Sequence, residues 1–163
     1  MLKLYTGGFR MERTRCGIST VCYLTENDKT LFLKFNKKWG QVFAPPGGKM
    51  EDAESPLECI IREYKEETGL TLKNPKLKGY SYWNWVDKEF GIIFIYTASE
   101  YDGVIKEGIE GNLSWIKKEE ISNLKQFDMN CKFNDLLFQE GMFEGNFQLD
   151  KDHKVKSYKL TKI

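Results

Sequence analysis

The segment Gly48 to Leu70, GKMEDAESPLECIIREYKEETGL, constrains the fold more tightly than any other part of the chain. Ser55-Pro56-Leu57-Glu58 sets Ser at an N-cap, Pro at the first helical position and Glu three residues after the cap, completing a capping box, so a helix starts here. Gly69 suits the left-handed conformation just past a helix end and marks the stop. At about 100° per residue, Leu57, Ile60, Ile61, Tyr64 and Thr68 share one arc, the expected core-facing stripe, and Cys59 falls off it. Glu63, Glu66 and Glu67 share a second arc that points away. Like charges at this spacing repel by a few tenths of a kcal/mol per pair, so helix propensity gives no reason to crowd them. Taken alone, such a run is most often a solvated helix face. A divalent cation would reverse the sign of the interaction, because clustered carboxylate oxygens are the hard ligands that Mg²⁺ or Mn²⁺ prefers, completed by substrate phosphates.

The residues around this helix converge on the same chemistry. Asn36 to Ala53 reads as a loop, punctuated by Trp39-Gly40 and Pro45-Pro46-Gly47-Gly48. Gly47 and Gly48 let backbone approach a phosphate without side-chain obstruction. Glu54, just before the helix, can bend back toward the carboxylates, and Arg62 lies four residues before Glu66, close enough to orient it through a charge-assisted hydrogen bond.

With 163 residues, the whole chain, 1–163, is expected to form a single domain. Lys+Arg 25 against Asp+Glu 24 leaves a net charge of +1, which excludes the broad basic footprint that duplex nucleic acid demands. No apolar run approaches the roughly 20 residues of a membrane span, and Met1 to Arg15 has no continuous apolar stretch, so neither a membrane nor a secretory signal is expected and the address is cytoplasmic. Cys16, Cys22, Cys59 and Cys131 form no CxxC pair and read as reduced thiols rather than zinc ligands or disulfides.

Strands are expected over Gly17 to Leu24 and Thr30 to Phe35 with a turn at Thr25 to Lys29, and over Lys76 to Val86 and Gly91 to Thr97 across Asp87-Lys88-Glu89. A loop from Ser99 to Glu110 precedes a short strand at Leu113 to Ile116. Lys118 to Leu124 and Lys132 to Gln139 read as helices, and Phe143 to Leu149 with Val155 to Leu160 as a closing hairpin. Without strict βαβ alternation, a mixed sheet with helices on its faces follows. The aromatic run Tyr80, Tyr82, Trp83 and Trp85 reads mainly as core and sheet face, and His153 as a solvent-facing turn residue.

The pattern Gly48, Glu54, Arg62, Glu63, Glu66, Glu67, Gly69 and Leu70 resembles the signature of the Nudix hydrolases. Seven fixed identities at these spacings arise by chance at on the order of 10⁻⁸ per start position. Tyr64 departs from it where an aliphatic residue is usual, a change that bears on packing. The resemblance implies an α/β fold, an α/β/α sandwich with a mixed β-sheet and a catalytic loop-helix-loop. It also implies Mg²⁺- or Mn²⁺-dependent cleavage of a nucleoside diphosphate linked to another group. Carried over position by position, Glu63, Glu66 and Glu67 would be metal ligands, Gly48 a ligand through its carbonyl, Glu54 a weaker participant, and Glu110 a further acidic ligand or base.

Substrate choice rests on fewer residues. Lys34 resembles a basic phosphate contact of nucleotide-sanitising members, or is a surface lysine of an edge strand. Phe127-Asp128-Met129-Asn130 resembles the segment where 8-oxo-dGTP diphosphatases place a stacking aromatic and a base-reading amide. Phe127 then stacks on a purine and Asn130 reads its edge, or Phe127 is core and Asn130 caps the following helix. The tail from Gly141 to Leu160 resembles the end of those enzymes, whereas Ala44 stands where some carry a base-reading Asn and cannot hydrogen-bond through its side chain. The expected partner is a nucleotide, an oxidised purine nucleoside triphosphate such as 8-oxo-dGTP, hydrolysed to monophosphate and pyrophosphate. Another diphosphate or a non-enzymatic nucleotide sensor stands as the alternative, and a homodimer is left open.

Overall fold

The computed structural model describes residues 16–35, 40–84, 90–106 and 111–163. Strand β1 (Cys16–Glu26) and strand β2 (Lys29–Phe35) are longer than the sequence suggests, because the reversal needs only Asn27 and Asp28, both at positive φ. The loop expected from 36 to 53 contains strand β3 (Phe43–Ala44), whose short length hides it from any periodicity. Helix α1 (Pro56–Thr68) begins and ends as its signals dictate. Ser55 accepts from the Glu58 backbone N–H, Glu58 accepts from that of Ser55, and Gly69 turns left-handed at φ 79°.

The segment read as a loop from Ser99 to Glu110 is in part strand. β4 (Leu70–Lys73) pairs antiparallel with β7 (Glu100–Gly103), on either side of the hairpin β5 (Lys76–Asn84) and β6 (Phe90–Ala98). Residues 85–89, which include the turn expected at Asp87 to Glu89, lie outside the described residues. β8 (Gly111–Lys117) follows, then a 3₁₀ turn (Lys118–Asn123) in place of the expected helix. Helix α2 (Asp128–Leu137) starts four residues earlier than the sequence suggested, and β9 (Phe143–Leu149) and β10 (Val155–Lys162) close the chain. His153 is exposed at φ 62° in their turn.

Eight strands form a mixed sheet in the order β10-β9-β5-β6-β1-β2-β3, with β8 also on β2; β1/β6 and β5/β9 are parallel. One core lies on the α2 side, where Phe133 packs among Phe143 and Phe147 and meets Tyr23, Ile93 and Ile95. The other lies under α1, where Ile60 and Tyr64 meet Cys22, Leu24, Leu31 and Tyr96. Burying both sheet faces under helices is what fixes the strand register.

Two expectations for α1 are corrected. Leu57 is 43% exposed, whereas Cys59 is completely buried. In the first turn, the helix meets the sheet along the side that carries Cys59, whose Sγ lies 3.2 Å from Thr20 Oγ1 on β1. All four cysteines are free thiols, as their spacing implied.

The position of the site follows from how β2 uses its edges. β8 pairs with β2 from Lys29 to Phe35, so β1 and β3 must share the other edge. β1 does so at Thr25 and Glu26, and β3 at Leu33 and Lys34. Beyond its first pairs, β1 therefore parts from β2, and the chain leaving β3 fills the vacated edge.

Candidate active site

That chain is the glycine-rich loop. Cys22 donates its backbone N–H to Pro46 O (3.0 Å), Thr20 to Gly48 O (2.8 Å), and Met50 to Ile18 O (3.0 Å), so the loop runs beside β1 as a substitute strand. The residues before Gly47 thus acquire a rigid backing that punctuation alone does not reveal. Ser19 and Thr20 were not singled out from sequence; an alternating strand carries no mark of which residues anchor a loop.

α1 presses its carboxylates onto this backbone. The Gly47 N–H donates to Glu67 Oε2 at 2.8 Å. A Cβ at Gly48 would stand 2.3 Å from Glu63 Cδ and within 2.5 Å of both its carboxylate oxygens, so only glycine lets that carboxylate lie where it does. At Gly47 a Cβ would meet Thr20 O at 2.2 Å, so there the fold itself demands glycine. Glu63 is 17% exposed at its side chain, and burial pushes its carboxyl above the ordinary carboxylate range against the pull of Arg62.

Arg62 organises the rest. It holds Glu54 by two bonds, Nη2 to Oε1 at 2.7 Å and Nε to Oε2 at 3.0 Å, and reaches Glu63 Oε1 at 3.0 Å, Glu66 Oε2 at 3.3 Å and Lys49 O at 3.2 Å. The expected contact with Glu66 is present, but the tighter partner is Glu54, eight residues before Arg62. These bonds, those to Arg62 first, hold the Glu54 carboxyl down to about 2. Glu66 is the most open of the acids, at 60% side-chain exposure.

Three carboxylates, Glu54, Glu63 and Glu66, thus stand around one guanidinium, and a fourth, Glu67, is held by the Gly47 N–H. Among the described residues, no three acidic, histidine or cysteine side chains are gathered closely enough to hold a metal ion as they stand. The donor set nevertheless fits a hard divalent cation: it is all oxygen, it carries more negative charge than Arg62 offsets, and Glu63 rests in a cradle that a Cβ would fill. Glu110 lies outside the described residues.

The residues expected to read the substrate lie on β2 and at the start of α2. Lys34, on β2 opposite Phe43, holds its ammonium 5.5 Å from the centre of the Phe43 ring. Phe43 in turn donates its backbone N–H to Lys125 O at 2.7 Å, and that segment leads to Phe127 at the N-cap of α2, edge-to-face with Phe35 at 6.2 Å. Asn130 is not a cap; it lies inside the first turn of α2 and is 5% exposed, because the helix begins at Asp128. Lys34 thus meets β3 through Phe43, whereas Phe127 meets the adjacent Phe35, whose side chain leaves β2 on the other face, and Asn130 is buried in the first turn of α2. Tyr82, in the aromatic run, is 38% exposed and packs edge-to-face with Tyr80 at 5.7 Å.

Residues 17–133 match the family model described as NUDIX domain. The chain is 34% identical over 148 residues to the uncharacterised Nudix hydrolase YvcI of Bacillus subtilis, covering 86% of this chain and 92% of that protein. It is 27% identical over 121 residues to diphosphoinositol polyphosphate phosphohydrolase 3-alpha of Mus musculus, covering 73% and 71%. Among solved structures, the MutT protein of Bacillus halodurans superposes with a TM-score of 0.81 at 33% identity, covering 88% of this chain and 97% of that one. The matched span carries the loop, the capped helix and its carboxylates, and the chain belongs to the Nudix hydrolase family.

Proposed function

We propose that this protein is a Mg²⁺-dependent pyrophosphohydrolase that cleaves a nucleoside triphosphate, an oxidised purine nucleotide such as 8-oxo-dGTP, to monophosphate and pyrophosphate in the cytoplasm. The observation that carries the reading is the seating of Glu63 and Glu67 against the Gly47-Gly48 backbone, which concentrates anionic oxygen on a rigid, side-chain-free ledge. Glu63, Glu66, Glu67 and the Gly48 carbonyl would hold the cation. Bound there, Mg²⁺ or Mn²⁺ supplies positive charge that offsets the phosphate oxygens and lowers the pKa of attacking water.

The chain's own residues supply position. Arg62 keeps Glu54 and Glu63 in place, so the carboxylates do not have to be ordered when substrate arrives. The Gly47 N–H fixes Glu67. Lys34 offers a cation to the phosphates, and Phe127 and Asn130 offer an aromatic surface and a paired donor and acceptor to a purine.

A second reading, hydrolysis of a different diphosphate, is favoured by the likeness to diphosphoinositol polyphosphate phosphohydrolases. A panel of nucleoside triphosphates, nucleotide sugars, ADP-ribose, dinucleoside polyphosphates, 5′-triphosphorylated RNA and diphosphoinositol polyphosphates, assayed with Mg²⁺ in ¹⁸O water and read by phosphorus NMR, separates the two by product and cleavage site. Monophosphate and pyrophosphate from 8-oxo-dGTP are expected, with turnover abolished by EDTA and in Glu67→Gln. Turnover of the other diphosphates alone would overturn the nucleotide reading.

A further inference from the structure

A cleft of about 440 Å³ opens at the end of the sheet remote from the glycine-rich loop, where β4, β5, β6 and the C-terminal end of α2 meet. The recess forms because β4 leaves the main sheet to pair with β7, and the chain returns to β5 through Asn74 at φ 47°. Phe138, half-buried, gives it an aromatic floor, with the buried Tyr23 and Leu137 packed beneath, and Lys73, Lys76 and Lys78 line it as cations.

These lysines are held there by the fold. Lys78 sits at a register shift between Leu77 and Gly79, and its ammonium donates to the carbonyl oxygens of Gln139 and, at 2.7 Å, Gly141, just past α2. Lys73 pairs with Asp102 at 2.8 Å. Among the described residues, no carboxylate lies within ion-pair distance of Lys76 or Lys78. Two further ammoniums border the same end: Lys118 is 4.6 Å from the Phe138 ring centre, and Lys162 bonds Gln139 Oε1 at 2.5 Å. Burial, followed by the charge of Lys162, draws the Lys78 pKa below its ordinary value, with Glu140 pulling the other way. Glu100 is the acid in the lining.

We propose that this cleft is a second ligand site, taking a small organic phosphate with its phosphoryl group at Lys73, Lys76 and Lys78 and its ring body over Phe138. The volume falls in the range of about 300–1,000 Å³ typical of small-molecule sites, more room than a bare phosphate fills. Ser99, Asn74 and Glu100 offer partners for sugar hydroxyls. The site is separate from the carboxylates: Tyr23 belongs to the core on the α2 side of the sheet, whereas α1 lies on the other side, and the glycine-rich loop follows β1 only from Ile18 to Cys22. It stands independently of the hydrolase's substrate.

The test is an amide NMR titration of the full chain in EDTA with adenosine 5′-monophosphate, ribose 5-phosphate and inorganic phosphate. The nucleotide is expected to shift the amides of Asn74, Ser99 and Gln139 saturably, and inorganic phosphate to do so at least about tenfold more weakly. Lys73→Gln combined with Lys76→Gln, both exposed positions, is expected to weaken the nucleotide by about tenfold or more while leaving any response of Gly47 and Gly48 unchanged. No saturable shift at those three amides with any probe, or affinity unaltered in the double variant, overturns the site. Equal affinity for nucleotide and inorganic phosphate overturns the role of the aromatic floor.

Discussion

The Arg62 guanidinium grips the Glu54 carboxylate with two bonds, at 2.7 and 3.0 Å, and through it the loop that precedes α1 is tied to the helix's second turn. The clamp spans the N-cap, so residue 54, outside the helix, is held as firmly as residues within it. Glu51 adds a backbone N–H to Glu54 Oε1 at 2.7 Å.

Lysine cannot reproduce a planar fork, so Arg62→Lys is expected to lower kcat/KM by about 10- to 100-fold while the fold is retained, as checked by steady-state kinetics and circular dichroism. The clamp's pH dependence has a definite sign. Because the Glu54 carboxyl is held down at about 2 from an ordinary 4.5, its contribution to stability is complete above about pH 4.5 and is lost as pH falls toward 2. Urea midpoints of the wild type and Glu54→Gln should therefore differ by a constant amount above about pH 4.5 and converge as pH falls toward 2.

Gly48→Ala tests the ledge. Its Cβ would collide with the Glu63 carboxylate rather than with backbone, so the chain should fold normally and lose turnover by about a hundredfold as Glu63 is displaced. Wild-type kcat in a folded Gly48→Ala protein would show that the seat of Glu63 has no role in the reaction.

Two neighbouring positions of the predicted apolar stripe should differ in energy. Ile60→Ala removes a completely buried side chain from the α1 core and is expected to cost roughly 2–5 kcal/mol. Leu57→Ala, at a 43% exposed position, should fall within about 0.5 kcal/mol of wild type. Chemical denaturation of both variants measures the difference directly.

Thiol labelling in the native state should proceed in a set order. Cys16 and Cys131 are exposed, but partial burial raises the Cys131 thiol, so Cys16 should react first. Cys59, pushed up to about 11 by burial, and Cys22, raised further by complete burial, should stay protonated and unlabelled at pH 8 until the protein unfolds. Mass spectrometry of timed alkylation reads the order.

The local signals of the sequence were sufficient where the controlling interactions are local. The capping box from Ser55 to Glu58, the left-handed stop at Gly69 and the shared arc of Glu63, Glu66 and Glu67 each depend on residues within one or two helical turns, and all are as the spacing required. β3, β4 and β7 escaped notice because strands of two to four residues are stabilised by pairing, not by their own periodicity. The start of α2 at Asp128 was missed for a related reason. Phe127 offers no side-chain cap, and the Val155 N–H donates to Asp128 Oδ2 at 2.9 Å from a strand 27 residues away.

By itself the sequence determined the acidic helix and the glycines before it and, through the signature they spell, the family, because charge placement and chain reversal are written in residue type and spacing. The tertiary structure alone decided that β1 parts from β2, that Pro46 to Met50 fills the gap, and that Arg62 answers to Glu54 ahead of Glu66. Those choices follow from which edges and faces were left to satisfy once distant strands had paired, a competition that no local window contains.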